Sequence, residues 1–553
     1  MTEKQAKKSF VKGAAILGIA GIFVQILGAV FRIPLANIIG DEGMGYYQTA
    51  YPIYVALLVF STNGAPAAIS KMTSEKIACG QYSEAHRIFK LSFLLMGAMG
   101  VAFFLAVVAF AKPLVLHFAD IGAYPAMIAI APALLFVPIM AVFRGYFQGM
   151  QEMMPTAISQ FFEQVVRVAL GLALAGILVK KGIDMAAAGA TAGTSVGPLF
   201  GILVLYIFYL QRRKGILMDI DAESAARLDS PEFQAENGAS PVLESAGSVL
   251  KRLALIAIPI TIGVSIMPVM NLGDLLFVMR RLQDIGFSSA EANALYGRLS
   301  GMAIPIINVP MALALSMAMA MVPAIAAAAS AGDRKGLEDN IRMGLRTSMI
   351  IGVPCSLGLI SMAYPVTALL YPRQPESIPD AAACLLILAI GVVFLCVGQT
   401  MAGVLQGIGR PGLSVAGLLA GFAVKCVSTY ILTAIPAFGV EGAAAGSALG
   451  FAAVGIFNFA AVKAVTGIKH DISLAVVRPV LAGIIMFAAV KAAYYGLNMV
   501  RPDSHLVTLL VICIAAGVYG IAILKLKAVS ADELETFPKG KALKKLLTRL
   551  HLV

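Results

Sequence analysis

Charged side chains are scarce in this chain. Asp, Glu, Lys and Arg make up 13% of its 553 residues, where a soluble globular chain carries ~25%. That deficit, with a mean hydropathy of +0.87, excludes an ordinary soluble domain. Short segments of strictly alternating polarity are missing too, which excludes a transmembrane barrel. Cysteine is sparse: Cys79, Cys355, Cys384, Cys396, Cys426 and Cys513 are scattered, with no CxxC pair or metal-ligand spacing. They read as small packing residues, not as a disulfide framework or a zinc site. The five histidines form no cluster with acidic residues, so no metal or other cofactor is expected. The net charge of +12 does not imply nucleic acid as a partner. The basic residues sit beside apolar runs, where they anchor a chain to membrane lipids.

Long apolar runs are what the chain has in abundance. They fall at roughly 13–39, 46–70, 88–111, 121–147, 155–180, 184–210, 250–279, 295–326, 341–370, 381–406, 411–435, 441–466, 475–499 and 504–526. Each is close to the ~20 residues that span a bilayer as a helix. The expected fold is therefore an all-α polytopic membrane protein with about fourteen transmembrane helices. Lys4, Lys7, Lys8 and Lys12 precede the first run. That run is too long for a cleaved signal peptide and reads as a retained span. Loop cations alternate in number, rich near Lys71–Lys90, Arg212–Lys214, Arg334–Arg346 and the C-terminal tail and poor on the other side. This places both termini in the cytoplasm.

One polar stretch interrupts the array. Residues 211–249 carry Asp219, Asp221, Glu223, Asp229, Glu232, Glu236 and Glu244 with Pro231, Gly238 and Pro241, the composition of a flexible cytoplasmic linker. It separates an N-terminal lobe, 1–210, from a C-terminal lobe, 250–466. Residues 467–526 add two helices, and 527–553 form a basic tail whose Lys539–Arg549 stretch is suited to an anionic leaflet. The lobes echo one another. Phe147-Gln148-Gly149-Met150 with Pro155 resembles Leu405-Gln406-Gly407-Ile408 with Pro411, and Gly80–Lys90 resembles Gly332–Arg342. Two parallel six-helix repeats follow.

Ionisable groups inside the runs are the candidate site, because each costs at least ~2.5 kcal/mol there unless a wet cavity or a partner receives it. Arg32 either faces such a cavity or snorkels to the headgroups. Glu163 and Arg167, spaced i, i+4, are placed to pair on one helix face as a structural or gating element. Asp274 either pairs with Arg280 or serves gating. Arg298 is an interface anchor or a ligand for substrate. Lys425 lies mid-span, where snorkelling is hard, and Lys491 beside Tyr494 and Tyr495 reads as an interfacial anchor. The balance is cationic, which suits a phosphate or pyrophosphate, since guanidinium forks match phosphate oxygens.

The opening QxLGxxFRIPLANIIG, the following YYQTAYPIY, the NGxPxAISK segment and the paired QG…P stretches together resemble a known family. The chain is similar to the polysaccharide and lipid-linked oligosaccharide flippases of the MOP exporter superfamily, in the stage V sporulation protein B-like branch, related to MurJ-type lipid II flippases. The resemblance implies two six-helix lobes around a cationic cavity, alternating access, and export of an undecaprenyl-pyrophosphate-linked precursor across the bacterial plasma membrane. It also implies drive by the membrane potential or an ion gradient, cell-wall synthesis proteins as partners, and no enzymatic step. Arg32 matches the first-span arginine of MurJ-type proteins, although Ile33 follows it where they carry aspartate. Gln25 or a neighbour replaces a second first-span arginine of that family, Asn63 is the polar group nearest an absent second-span arginine, and Arg298 matches an eighth-span arginine. The expected cargo is lipid II or another lipid-linked polysaccharide unit, with Arg32, Arg298, Lys425, Asn63 and Gln25 as its ligands. A multidrug or cation antiporter of the same superfamily is the alternative. A membrane glycosyltransferase would need carboxylate clusters that the loops lack.

Overall fold

The computed structural model describes residues 3–59, 62, 64–228, 244–468, 473–501 and 504–528, and they are helical apart from short connections. The helices are α1 (Glu3–Val59), α2 (Ala65–Ala78), α3 (Tyr82–Phe118), α4 (Tyr124–Ile130), α5 (Ala133–Gly149), α6 (Met154–Leu178), α7 (Ile183–Leu228) and α8 (Ala246–Asp284), followed by α9 (Ser289–Tyr296), α10 (Ile304–Ser330), α11 (Arg334–Leu370), α12 (Ile378–Gly407), α13 (Pro411–Leu432), α14 (Gly439–Thr466), α15 (Arg478–Val500) and α16 (His505–Lys525). A π-helical turn at Gly297–Ala303 joins α9 to α10.

Eleven described helices are long and apolar enough to cross a membrane, or twelve if the bent pair Ala246–Ile262 and Val264–Asp284 is one span. They follow the expected segments in order from 88–111 onward, so the chain is an all-α polytopic membrane protein. The first two expected segments fall in α1 and α2, a stretch that includes residues outside the described set. No loop separates them at Gly40-Asp41-Glu42. The helix continues through these residues, broken only at Gly40, whose φ of 72° leaves the helical region.

Internal contacts divide the chain into two compact units, Met1–Leu276 and Phe277–Val553. The boundary falls inside α8 rather than in the polar linker, because the start of α8 packs within the first unit. A side chain at Gly64 would collide with Thr261 and Ala257, and Arg252 pairs with Glu75 at 2.5 Å. The linker itself is shorter than its composition implies. α7 runs unbroken to Leu228, since a helix already nucleated in the membrane propagates outward at little cost. Glu223, on this extension, accepts hydrogen bonds from the Ser83 backbone N–H at 2.8 Å and from Ser83 Oγ at 3.1 Å. Gln81, at the N-cap of α3, makes no side-chain capping bond, so Glu223 supplies the cap from a distant part of the chain. The basic stretch Lys539–Arg549 lies outside the described residues.

The same packing recurs in both units. Gly145 and Gly149 of α5 seat against Pro66 and Thr73 of α2, and Gly403 and Gly407 of α12 seat against Ala318 and Ile325 of α10. The turns match as well. Gly80 and Gly332 both adopt left-handed backbone, with φ of 72° and 67°. Gln81 N–H closes back to Lys76 C=O and Asp333 N–H to Ala328 C=O, the six-to-one closure of a helix C-terminus. The QG pair ends α5 and α12 alike: Glu152 N–H bonds Phe147 C=O and Arg410 N–H bonds Leu405 C=O. Gln151 there has a φ of 62° and Gly409 of 76°.

A third recurrence positions the candidate site. Gly189, Gly193 and Gly197 of α7 pack against the α6 face that bears Arg167, Gly171 and Ala175. Gly442, Gly446 and Gly450 of α14 pack against the α13 face that bears Lys425 and Thr429 and against its C-cap, Thr433. Glycine every fourth residue lets two helix backbones approach closely in a bilayer.

Candidate substrate site

Arg32 lies within the first apolar run on α1, before the break at Gly40. Beyond that break the helix presents Tyr47, Tyr51 and Tyr54 at i, i+4 and i+7, one face of a 3.6-residue helix. The rings form a ladder: Phe31 meets Tyr47 edge-on at 6.3 Å, Tyr47 stacks on Tyr51 at 5.7 Å, and Tyr51 meets Tyr54 at 6.0 Å. Two guanidiniums lie over the middle ring. Arg32 Cζ is 5.9 Å from the Tyr51 centroid and Arg167 Cζ, from α6, is 5.3 Å away. Arg167 Nη2 also approaches Tyr47 Oη at 3.5 Å. Both arginines are half-buried, and Tyr47 and Tyr54 are buried.

This arrangement has a clear electrostatic consequence. Each guanidinium gains ~0.5–2 kcal/mol from the ring face, depending on desolvation. The two positive charges share that ring, however, and repel one another. An anion received by both would relieve the repulsion and gain charge-assisted hydrogen bonds.

Glu163 does not neutralise Arg167, contrary to the i, i+4 expectation. Its carboxylate accepts from Arg144 Nη2 of α5 at 2.8 Å, while Arg144 Nε donates to Ser159 Oγ at 3.1 Å. Gly197 of α7 seats against α6 at Glu163 and Arg167, and Gly201 against Met140 of α5. From there Glu163 reaches α5 and Arg167 reaches the tyrosines of α1.

The other expected residues are placed as follows. Arg298, in the π-helical turn, forms an ion pair with Asp380 in the first turn of α12. Asp274 is half-buried on α8. Arg280 does not pair with it: Arg280 and Arg281 bind Asp284, at 3.5 and 2.9 Å, and Arg281 also stacks over Tyr430 at 3.4 Å. Lys425 is 8% exposed on α13, enclosed by protein. Lys491 lies 6.0 Å from the Phe487 ring. Asn63 and the side chain of Gln25 fall outside the described residues. Arg32 and Arg167 thus come together in the first unit, while Arg298 and Lys425 belong to the second. The three tyrosines and Arg144 were not expected; the 47–51–54 spacing was the signal for the former. Among the described residues no three His, Cys, Asp or Glu side chains are placed to hold a metal ion.

Comparison with known proteins agrees with this architecture. The family model for polysaccharide biosynthesis protein matches residues 10–329, and the MatE model matches residues 299–431. Stage V sporulation protein B of Bacillus subtilis is 28% identical over 96% of this chain and 98% of its own length. Lipid II flippase MurJ of the same organism is 27% identical over 92% and 93%, and the uncharacterized membrane protein YabM is 29% identical over 97% and 96%. Among solved structures, lipid II flippase MurJ in an inward closed conformation shares the fold with a TM-score of 0.66, at 16% identity over 91% of this chain and 97% of that one. An inward-facing MATE transporter of the MOP superfamily gives 0.65, at 16% identity over 80% and 94%. The chain belongs to the polysaccharide biosynthesis protein family, a MOP-superfamily membrane transporter related to MurJ and stage V sporulation protein B.

Proposed function

We propose that this transporter moves an undecaprenyl-pyrophosphate-linked cell-wall precursor, lipid II or a related lipid-linked glycan, from the inner to the outer leaflet of the bacterial plasma membrane. The single observation that carries this reading is the pair of guanidiniums, Arg32 and Arg167, over one tyrosine ring. Such a pair matches a diphosphate. The kinship with lipid II flippase MurJ supports the same cargo. A lipophilic cation is disfavoured, because Glu163 is already neutralised by Arg144. Both termini lie in the cytoplasm, alternating access carries the head group, and membrane potential or an ion gradient supplies direction. Each charge moved through the field is worth ~2.3 kcal/mol per 100 mV. The cargo itself biases the switch only so far as it binds the two conformations differently.

The test is binding of undecaprenyl diphosphate and of uncharged undecaprenol to the purified full-length protein in nanodiscs. Arg32→Gln and Arg167→Gln are each expected to weaken diphosphate binding about tenfold, equivalent to ~1.4 kcal/mol, and to leave undecaprenol unchanged. Unaltered diphosphate binding in both variants would overturn the assignment.

A further inference from the structure

The matched turns at Gly80 and Gly332 lead into equivalent helices, α3 and α11, whose residues can be compared one by one. Lys90 of α3 stands where α11 carries Arg342. One turn earlier α11 has Glu338, which pairs with Arg342. At that position α3 has His86, and a buried imidazole offers Lys90 no negative charge.

A second cation joins Lys90. The His86 ring stacks on Phe89 at 5.8 Å and on Tyr209 of α7 at 6.4 Å. Arg213 lies one turn beyond Tyr209. Lys90 and Arg213 both stand close enough to His86 to act on it electrostatically. Their neighbours are matched, Arg87 by Glu84 and Arg212 by Glu152. Among the described residues neither Lys90 nor Arg213 has an ion-pair partner, and both are exposed. Deeper along the same helices apolar side chains turn outward: Phe93 and Leu94 on α3, and Tyr206 and Leu210 on α7, are 40–72% exposed. Lys90, Phe93 and Leu94 share one helix face, as do Tyr206, Leu210 and Arg213.

We propose that Lys90 and Arg213 hold the phosphate of an anionic phospholipid, with its acyl chains along Leu94 and Tyr206, and that the second unit lacks this site. Acyl chains cover an outward apolar face of a membrane protein, so what the site selects is the head group. Two unmatched cations at the polar end of that face favour an acidic one. The Arg213 fork can engage two phosphate oxygens while Lys90 supplies a point charge. In the second unit Glu338 already occupies the equivalent cation. The proposal does not depend on the cargo assigned to Arg32 and Arg167.

The chain contains no tryptophan, so a single introduced indole reports the lipid around it. Full-length protein carrying Leu94→Trp is placed in phosphatidylcholine nanodiscs doped with brominated phosphatidylglycerol or, separately, brominated phosphatidylcholine. Quenching should show about fivefold preference for phosphatidylglycerol. Met343→Trp, beside the matched Arg342, should be quenched equally by both lipids. Adding Lys90→Gln and Arg213→Gln to the Leu94→Trp protein should abolish its preference, and excess inorganic phosphate should not. The comparison of the two reporters keeps both cations in place and so avoids any folding defect of the charge variants. Equal preference at both reporters would assign the effect to a diffusely basic surface and overturn the site. So would no preference at Leu94→Trp, or a preference that survives loss of both cations. Abolition by inorganic phosphate would make the ligand a soluble anion and overturn the lipid as occupant.

Discussion

The two units share a scaffold and differ in what is mounted on it. In each, glycines on one helix seat against the preceding helix at matched points, and matched turns close with the same backbone bonds. The first unit places Glu163 and Arg167 on that face and surrounds Arg167 with Tyr47, Tyr51 and Tyr54. The second replaces the carboxylate position with Gly421, keeps a cation as Lys425, and uses its own cation–ring contact elsewhere, with Arg281 over Tyr430. The difference teaches that backbone proximity is set by small residues, while the chemistry of each unit is set by a few side chains on the seated face.

The largest expected effect tests the shared scaffold. At Gly193 a Cβ would stand 2.6 Å from the Arg167 carbonyl oxygen, and at Gly446 it would stand 2.7 Å from the Thr429 backbone nitrogen. Backbone cannot move aside as a side chain can. Gly193→Ala and Gly446→Ala should each lose about 2–3 kcal/mol, read as matched drops in thermal unfolding temperature. A loss at one position alone would break the equivalence of the units.

A smaller effect separates them. Glu163→Gln leaves Arg144 without its counter-charge in a half-buried setting, with side-chain exposures of 15% and 21% in the pair. A cost of about 2 kcal/mol is expected, reduced from the fully buried case by partial screening. Removing both partners as Arg144→Leu with Glu163→Leu should recover much of it. Gly421→Ala in the second unit tests steric fit only and has no charge partner to rescue.

The smallest effect concerns the linker. Glu223→Ala removes the cap that α7 provides to α3 and should cost about 1 kcal/mol, visible as faster amide exchange at Tyr82–Ala85. Unchanged exchange would mean that the α3 N-terminus is satisfied in another way.

Much of this was legible in the sequence. The apolar runs gave the helices from residue 88 onward, and the two QG stretches gave the recurrence of turns, because local chemistry dictates both. Arg32 stood out as a lone charge in an apolar run. What local rules could not supply was partners brought by other helices. The i, i+4 spacing pointed Glu163 toward Arg167, yet α5 delivers Arg144 to Glu163, a contact that depends on helix packing and not on helix period. Arg298 reads as an open cation until Asp380, 82 residues away, is found beside it. The acidic linker reads as flexible by composition, and its first part is helical because α7 extends into it. Tyr47, Tyr51 and Tyr54 stand at helical spacing, a pattern that core-facing residues share.

The most direct test of the central claim is transport itself. Purified protein in sealed vesicles, loaded with a fluorescent undecaprenyl-diphosphate-linked disaccharide, is assayed for the fraction of probe reaching the opposite leaflet. Wild type should move the probe, and the combined Arg32→Gln, Arg167→Gln variant should not, while an otherwise identical lipid lacking the diphosphate stays in place with either protein. Equal transport by wild type and the combined variant, or equal transport of the uncharged lipid, would contradict the account.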